Sequence, residues 1–319
     1  MKRKPTMTTL LLFLFLSPAI TAQKAISSPA FRPGEAVFYL IHFKSTQDIK
    51  TKSAFSLPDE PLAATTDVSG ILAVEALSTD SSGTRFRTWF LSLTSDIDAH
   101  PRRGKSEKVF TGFDRTPAAG KYVDCTLQPD SQITQITGLE ELASEQQTAW
   151  REWALRFASA YLFESQARKL REKWSTEERE NSPSPIAELF WQQKSQYAKD
   201  ESCAPQKVSS SGSFERSSAQ EPCAVILTAA TLLQKSSAQD STPPDYRLKQ
   251  LRTRGTAKGN NDTILYISRK TGRLIRSVQD ATQQMDVTIS LSDGRSVHYA
   301  INAQAKSTVE LVTDLPLAP

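Results

Sequence analysis

The residues best suited to chemistry lie in the stretch "TILYISRKTGRLIRS", residues 263–277, where Arg269, Lys270, Arg273 and Arg276 crowd a turn. Guanidinium groups clustered in this way suit bidentate contact with a phosphate or carboxylate. The same cations suit the margin of a sheet, where charge keeps an edge solvated and unpaired. Nine Lys or Arg lie between Pro244 and Arg276, against only Asp245 and Asp262. A second set is apolar: Trp150, Trp153, Phe157 and Tyr161 recur at helical spacing in "WREWALRFASAYLF". Such a stripe can cap a cavity for an apolar ligand, or simply pack as core.

Catalytic motifs are missing by pattern. The chain has no G-x-S-x-G, H-E-x-x-H, G-x-G-x-x-G or P-loop sequence. Its three histidines, His42, His100 and His298, are not at ligand spacing to one another, and there is no C-x-x-C. No metal site and no cofactor is therefore expected. A hydrolase would need a dispersed Ser/His/acid site built around His298 or His42. His298 falls on the polar phase of its segment, and His42 on a segment apolar in both phases, where burial is the expectation.

The first 22 residues, "MKRKPTMTTLLLFLFLSPAITA", join a basic start to a short apolar run and a small-residue end at Ala22. That is the layout of a secretory signal peptide, and the run is too short to span a bilayer. The expectation is export to a periplasm or beyond, with no transmembrane segment in the mature chain. The 39 Lys+Arg and 35 Asp+Glu become 36 and 35 once Lys2, Arg3 and Lys4 are removed. A near-neutral exported chain makes nucleic acid an unsuitable partner. Three cysteines in an oxidising compartment predict one pair and one leftover. Cys203 and Cys223 bracket the polar loop 204–222 and are expected to pair, while Cys125, in "KYVDCTLQ", reads as a buried thiol on a strand.

The elements that would position these groups are mostly strands. "EAVFYLIHFK" (35–44) puts Val37, Tyr39, Ile41 and Phe43 on one face, with Phe38, Leu40 and His42 on the other. "ILAVEALSTDSSGTRFRTWFLSL" and "KYVDCTLQPDSQITQITGL" each read as two strands about a turn. In "MDVTISLSDGRSVHYAI", a three-residue loop ending on a left-handed Gly294 pairs Ile289 with Val297, Val287 with Tyr299 and Met285 with Ile301. A one-residue slip would expose the apolar row. The same device at Lys270-Thr271-Gly272 sets Ile267 opposite Ile275 and Arg269 opposite Arg273. From Leu139 to Trp174 there is neither Pro nor Gly, and the aromatic spacing predicts a helix.

The fold class expected is therefore α+β, mainly antiparallel sheet, with a central helical segment. After the signal at 1–22 come a β-rich region at 23–138, the helical segment at 139–174 and a second β-rich region at 175–319. The two β regions share a strand order that suggests duplication. From "CAVILTAATLLQK" through "TILYISRKTGRLIRSVQDATQQMDVTISLSDGRSVHYAI", and including "REKWSTEE", the chain resembles uncharacterised exported bacterial proteins that are β-rich and carry domains of unknown function. The resemblance implies a bacterial exported protein and transfers no catalytic residue. A long antiparallel sheet with a covering helix is also similar, at the level of fold, to periplasmic lipoprotein carriers, which hold acyl chains.

Together these features point to a non-enzymatic exported envelope protein. It would bind an apolar or amphipathic, lipid-like ligand, with the aromatic stripe and the basic hairpin as contacts. Two other readings stay open: an envelope protein-interaction or structural module, marked by an unpaired strand edge or a flat apolar patch, and the dispersed-site hydrolase.

Overall fold

The computed structural model describes residues 32–53, 62–81, 83–101, 110–111, 122–128, 133–142, 147, 168–180, 184–209 and 212–315. Its strands in the N-terminal half are β1 (Ala36–Ser53), β2 (Leu62–Asp80), β3 (Gly83–Pro101), β4 (Phe110–Thr111), β5 (Val123–Leu127) and β6 (Ile133–Thr137). The C-terminal half supplies β7 (Lys173–Arg179), β8 (Leu189–Cys203), β9 (Gln206–Val208), β10 (Phe214–Arg216), β11 (Glu221–Gln234), β12 (Arg252–Ser268), β13 (Leu274–Ser290) and β14 (Ser296–Thr313). All belong to one sheet of order β6-β5-β3-β2-β1-β14-β13-β12-β11-β8-β7, with β4 on β3 and the β9–β10 hairpin on the end of β14. Pairing is antiparallel throughout, except for the two-residue contact of β14 with β9. The halves are joined by β1 against β14, from Phe38 opposite Val312 to Ser53 opposite Val297.

Two-residue alternation sets which side chains meet. On β1, Val37, Tyr39, Ile41 and Phe43 are buried while His42 and Lys44 are exposed. Register carries this phase across the sheet, so that one face collects Leu72 and Val74 of β2, Phe86 and Phe90 of β3, Val123 and Cys125 of β5, and Val309 of β14. In the other direction it collects Leu265 and Ile267 of β12, Ala224 and Ile226 of β11, and Tyr197 of β8. These residues form one core cluster at one end of the strands, the core end. Leu142, just after β6, and Leu170, just before β7, pack on it although their strands lie at opposite margins of the sheet. A smaller cluster at the distal end joins Ile186, Leu189, Leu232, Ala257 and Val287, with Trp191 and Tyr299 against it.

The sheet overturns the expected α+β class. The one helix whose full span is described is α1 (Pro244–Leu248), five residues long. The expected helical segment begins instead as a turn, Leu142 N–H donating to Leu139 C=O, and ends as strand. Residues 173–179 are extended because β8 offers them a backbone ladder, which they enter from a left-handed Arg171 at φ 67°. Arg171 N–H donates to Tyr197 C=O, Tyr197 N–H donates to Glu172 C=O, and β7 continues the pairing. An open edge of this kind outweighs local periodicity. The aromatic stripe that suggested the helix, Trp150 to Tyr161, lies outside the described residues, as does the signal-like stretch 1–22.

The hairpin expectations divide. Gly294 is left-handed at φ 85°, and Ile289, Val287 and Met285 pair with Val297, Tyr299 and Ile301, as the apolar row requires. At the other turn Gly272 is also left-handed, at φ 71°, but a bulge at Tyr266/Ile267 shifts the pairing so that Ile267 faces Leu274. The shift lets the consecutive residues Leu274 and Ile275 both be buried.

Cys203 and Cys223 are joined. The loop they close carries β9 and β10 and reaches the end of β14, where Gln206 pairs with Val312 and the Thr313 hydroxyl donates to Gln206 C=O. Cys125 is a buried free thiol whose pKa burial pushes up to about 11, with Asp124 adding to the shift, so it stays protonated and inert at neutral pH.

On the opposite, solvent face, Asp124 takes Arg87 Nε on Oδ1 at 2.9 Å and Arg85 on Oδ2 at 2.9 Å. Burial raises the Asp124 pKa, but Arg87 and Arg85 outweigh it and hold the carboxyl below its ordinary 3.8. A depressed carboxylate contributes stability that is complete above its ordinary value and is lost as pH falls through the folded value. Asp124→Asn should therefore cost about 1–3 kcal/mol at neutral pH, discounted for the solvated arginines. The gap from the parent protein should begin to narrow as pH falls below about 4 and close only below the folded value. Urea unfolding at pH 7 and pH 3 checks both halves, and an equal gap at the two values would refute the assignment.

Candidate functional site

The crowded turn cations are engaged by carboxylates drawn from far along the chain. Arg269 pairs with Asp200 of β8, which also accepts the hydroxyl of Tyr197. Arg273 donates to Glu35 Oε2 at 2.5 Å, and Arg276 pairs with Glu310 of β14 at 3.3 Å. The hydrogen bond from Arg273 holds Glu35 below the usual carboxylate range. Lys270 stands exposed at the tip. The arrangement ties the β12–β13 hairpin to three separate segments. Glu35, Asp200 and Glu310 lie 238, 69 and 34 residues from their partners, beyond the reach of any local pattern.

A different set of cations is free of such pairing. A groove of about 680 Å³ crosses β7, β8, β11 and β12. Two outward rows line it, Lys173, Gln196, Leu227 and Ile264, then Ser175, Lys194, Ala229 and Asp262, with the inward-phase row Trp174, Ser195, Thr228 and Thr263 between them. Leu227 and Ile264 are direct cross-strand partners, 43% and 36% exposed. Solvent-exposed aliphatics side by side on an otherwise polar face are uncommon and mark a surface that something can cover. Lys173 and Lys194 are diagonal neighbours, about 7–8 Å apart at the Cβ level, so their ammonium groups can reach one anion. Among the described residues neither forms an ion pair with a carboxylate. The one acidic group of the groove, Asp262, is at the far side on β12. The groove thus has a cationic end at β7–β8 and an aliphatic floor beyond it.

Sequence reasoning did not single out Lys173, Lys194, Leu227 or Ile264. Their signal is an aliphatic residue in the outward phase of a strand, but "CAVIL" is apolar in both phases and hides which phase faces out.

The histidines stand apart. His298 Nε2 is 2.9 Å from Asp286 Oδ1, and His42, exposed rather than buried, lies 3.9 Å from Asp67. His42 is outward because the buried phase of β1 is the odd one. His42 pairs with Thr308, ten residues along β14 from His298, which separates the two by about 33 Å. They cannot serve one site.

The central strands carry polar groups on both faces. Lys44, Asp280, Asp286 and Lys306 point out, while Ser45, Gln279 and Ser307 point in, with the Ser307 hydroxyl donating to Gln279 at 3.0 Å. A lipid-facing strand of a membrane barrel carries an apolar band about 25 Å tall on its outer face, and these strands do not. No helix among the described residues is long and apolar enough to cross a membrane.

No family model matches the sequence, and no curated protein does. Among solved structures the chain is similar to lipovitellin, at 11% identity and TM-score 0.45, over 91% of this chain and 26% of that one. It thus spans about a quarter of lipovitellin's length. It is also similar to OprB of Pseudomonas putida (6% identity, TM-score 0.21, covering 85% and 94% of the two chains). A third likeness is to an outer membrane channel of Pseudomonas putida F1 (10% identity, TM-score 0.18, covering 88% and 97%).

Proposed function

We propose that the protein is an exported, non-enzymatic envelope protein that binds an amphipathic anion in the groove across β7, β8, β11 and β12. The observation that carries this reading is the exposed Leu227–Ile264 pair beside Lys173 and Lys194, two cations without a carboxylate partner among the described residues. An acyl chain laid across the strands would cover the aliphatic pair, and its acidic group would sit between the lysines at β7–β8. Asp262 repels the opposite orientation. The disulfide Cys203–Cys223 supports an oxidising compartment, in keeping with the signal-like N-terminus. The basic hairpin at Arg269–Arg276 serves as an anchor of the sheet in this reading, with Lys270 left to solvent.

The test is titration of the mature chain, Gln23 onward, with a fluorescent fatty acid. Saturable binding is expected, weakened about tenfold by Lys194→Glu, as loss of one charged hydrogen bond implies. Leu227→Asp should abolish it by placing a charge on the apolar floor. Absence of saturable binding, or binding unchanged in both variants, would overturn the reading.

A further inference from the structure

The two margins of the sheet differ. At one, β6 is five residues long, Gln135 is left-handed at φ 53°, and the pairing to β5 is interrupted between Asp124 and Thr126. A short, bulged edge of this kind resists the addition of another strand. At the other, β7 runs for seven residues in unbroken register with β8, from Lys173 opposite Gln196 to Arg179 opposite Phe190. Among the described residues it bonds to no other strand, and all its residues but Trp174 are exposed. An edge that is regular, exposed and free is a template for strand addition.

We propose that the strand added there is β7 of a second copy of this chain, paired antiparallel about Ser175. The argument is charge complementarity. A two-fold axis perpendicular to the sheet keeps the solvent face of both copies on one side, so only residues of the same phase can oppose each other. Centred on Ser175, the axis sets Lys173 against Glu177 of the second copy, and by symmetry Glu177 against Lys173. Trp174 then faces Thr176 on the core side. Centred on Thr176, it would set Lys173 against Arg179 twice, and centred on Glu177 it would oppose two like carboxylates. Opposite charges directly across a ladder stabilise it and like charges do the reverse, so the sequence "KWSTEER" selects the first register. Glu177 is already held in place by Lys235 Nζ at 2.5 Å, which fixes the acceptor for the incoming lysine. The pairing would run one sheet through two copies and bring Lys173 and Ser175 of the two grooves together at the axis.

Sedimentation velocity of the mature chain over a wide concentration range should show a reversible monomer–dimer equilibrium. Lys173→Glu should shift it to monomer, by about tenfold or more in dissociation constant, because two repulsive pairs replace two attractive ones. The swap Lys173→Glu with Glu177→Lys should restore the dimer, an outcome that general destabilisation of the strand cannot produce. Register is read independently by oxidative trapping. Ser175→Cys should crosslink to itself, since directly opposed residues lie about 4.5–5.5 Å apart at Cα, whereas Thr176→Cys should not. A chain that stays monomeric and gives no Ser175→Cys crosslink overturns the proposal. So does a dimer that the Lys173→Glu variant leaves intact, which would place the contact elsewhere.

Discussion

Truncating Phe86 to alanine should cost about 3–5 kcal/mol, the range for a fully buried aromatic side chain that leaves a cavity. Phe86 is fully buried, opposite Ala76 of β2 and Cys125 of β5, in the large cluster at the core end. A domain stable by about 5–15 kcal/mol loses a large part of its margin by such a change. The control lies on the same strand. Leu91 is 44% exposed at the bulge where β3 passes Ile71/Leu72, and Leu91→Ala should cost less than about 0.5 kcal/mol. Urea unfolding followed by circular dichroism gives both numbers. Similar costs for the two would mean that β3 does not divide its side chains between a core face and a wet face as the register requires.

Removing the Cys203–Cys223 bridge is the second large effect. The cysteines are 20 residues apart, and closing a loop of that length stabilises the folded chain by about 3 kcal/mol on the chain-entropy model. A double replacement by serine should lower the unfolding midpoint accordingly. It should also free the β9–β10 hairpin from the end of β14, because that contact rests on two backbone pairs, at Val312 and Thr313. Hydrogen exchange at residues 206–216 should rise while that of Val309, deep in the core cluster, rises only with the global loss. If the loop keeps its protection without the bridge, its pairing with β14 is self-sufficient and the disulfide is redundant there.

How much of this was legible in the residues can be read strand by strand. The β13–β14 register followed from one alternating apolar row and one glycine, since any slip would have exposed Met285, Val287 and Ile289 together. The β12–β13 turn failed by one residue for the converse reason. "RLIRS" is apolar at two consecutive positions, and a bulge buries both Leu274 and Ile275. The cysteine pairing was legible because a Ser-rich loop left few other arrangements. The helical reading of 139–174 failed at its described ends because it weighed spacing along the chain and not the free ladder that β8 offers to Lys173–Arg179.

By itself, then, the sequence determined most of the strands, where most turns fall and which cysteines join, but not which phase of β1 is buried, since that stretch is apolar in both. Only the tertiary structure decided the order of the strands. It brought β1 against β14 and set β7 at the margin of the sheet among the described residues. It also gave the hairpin arginines their carboxylates and left Lys173 and Lys194 without any among the described residues. The physical reason is common to these outcomes. Each depends on a contact between residues far apart in the chain, and side chains of one phase look alike in sequence until register determines their neighbours.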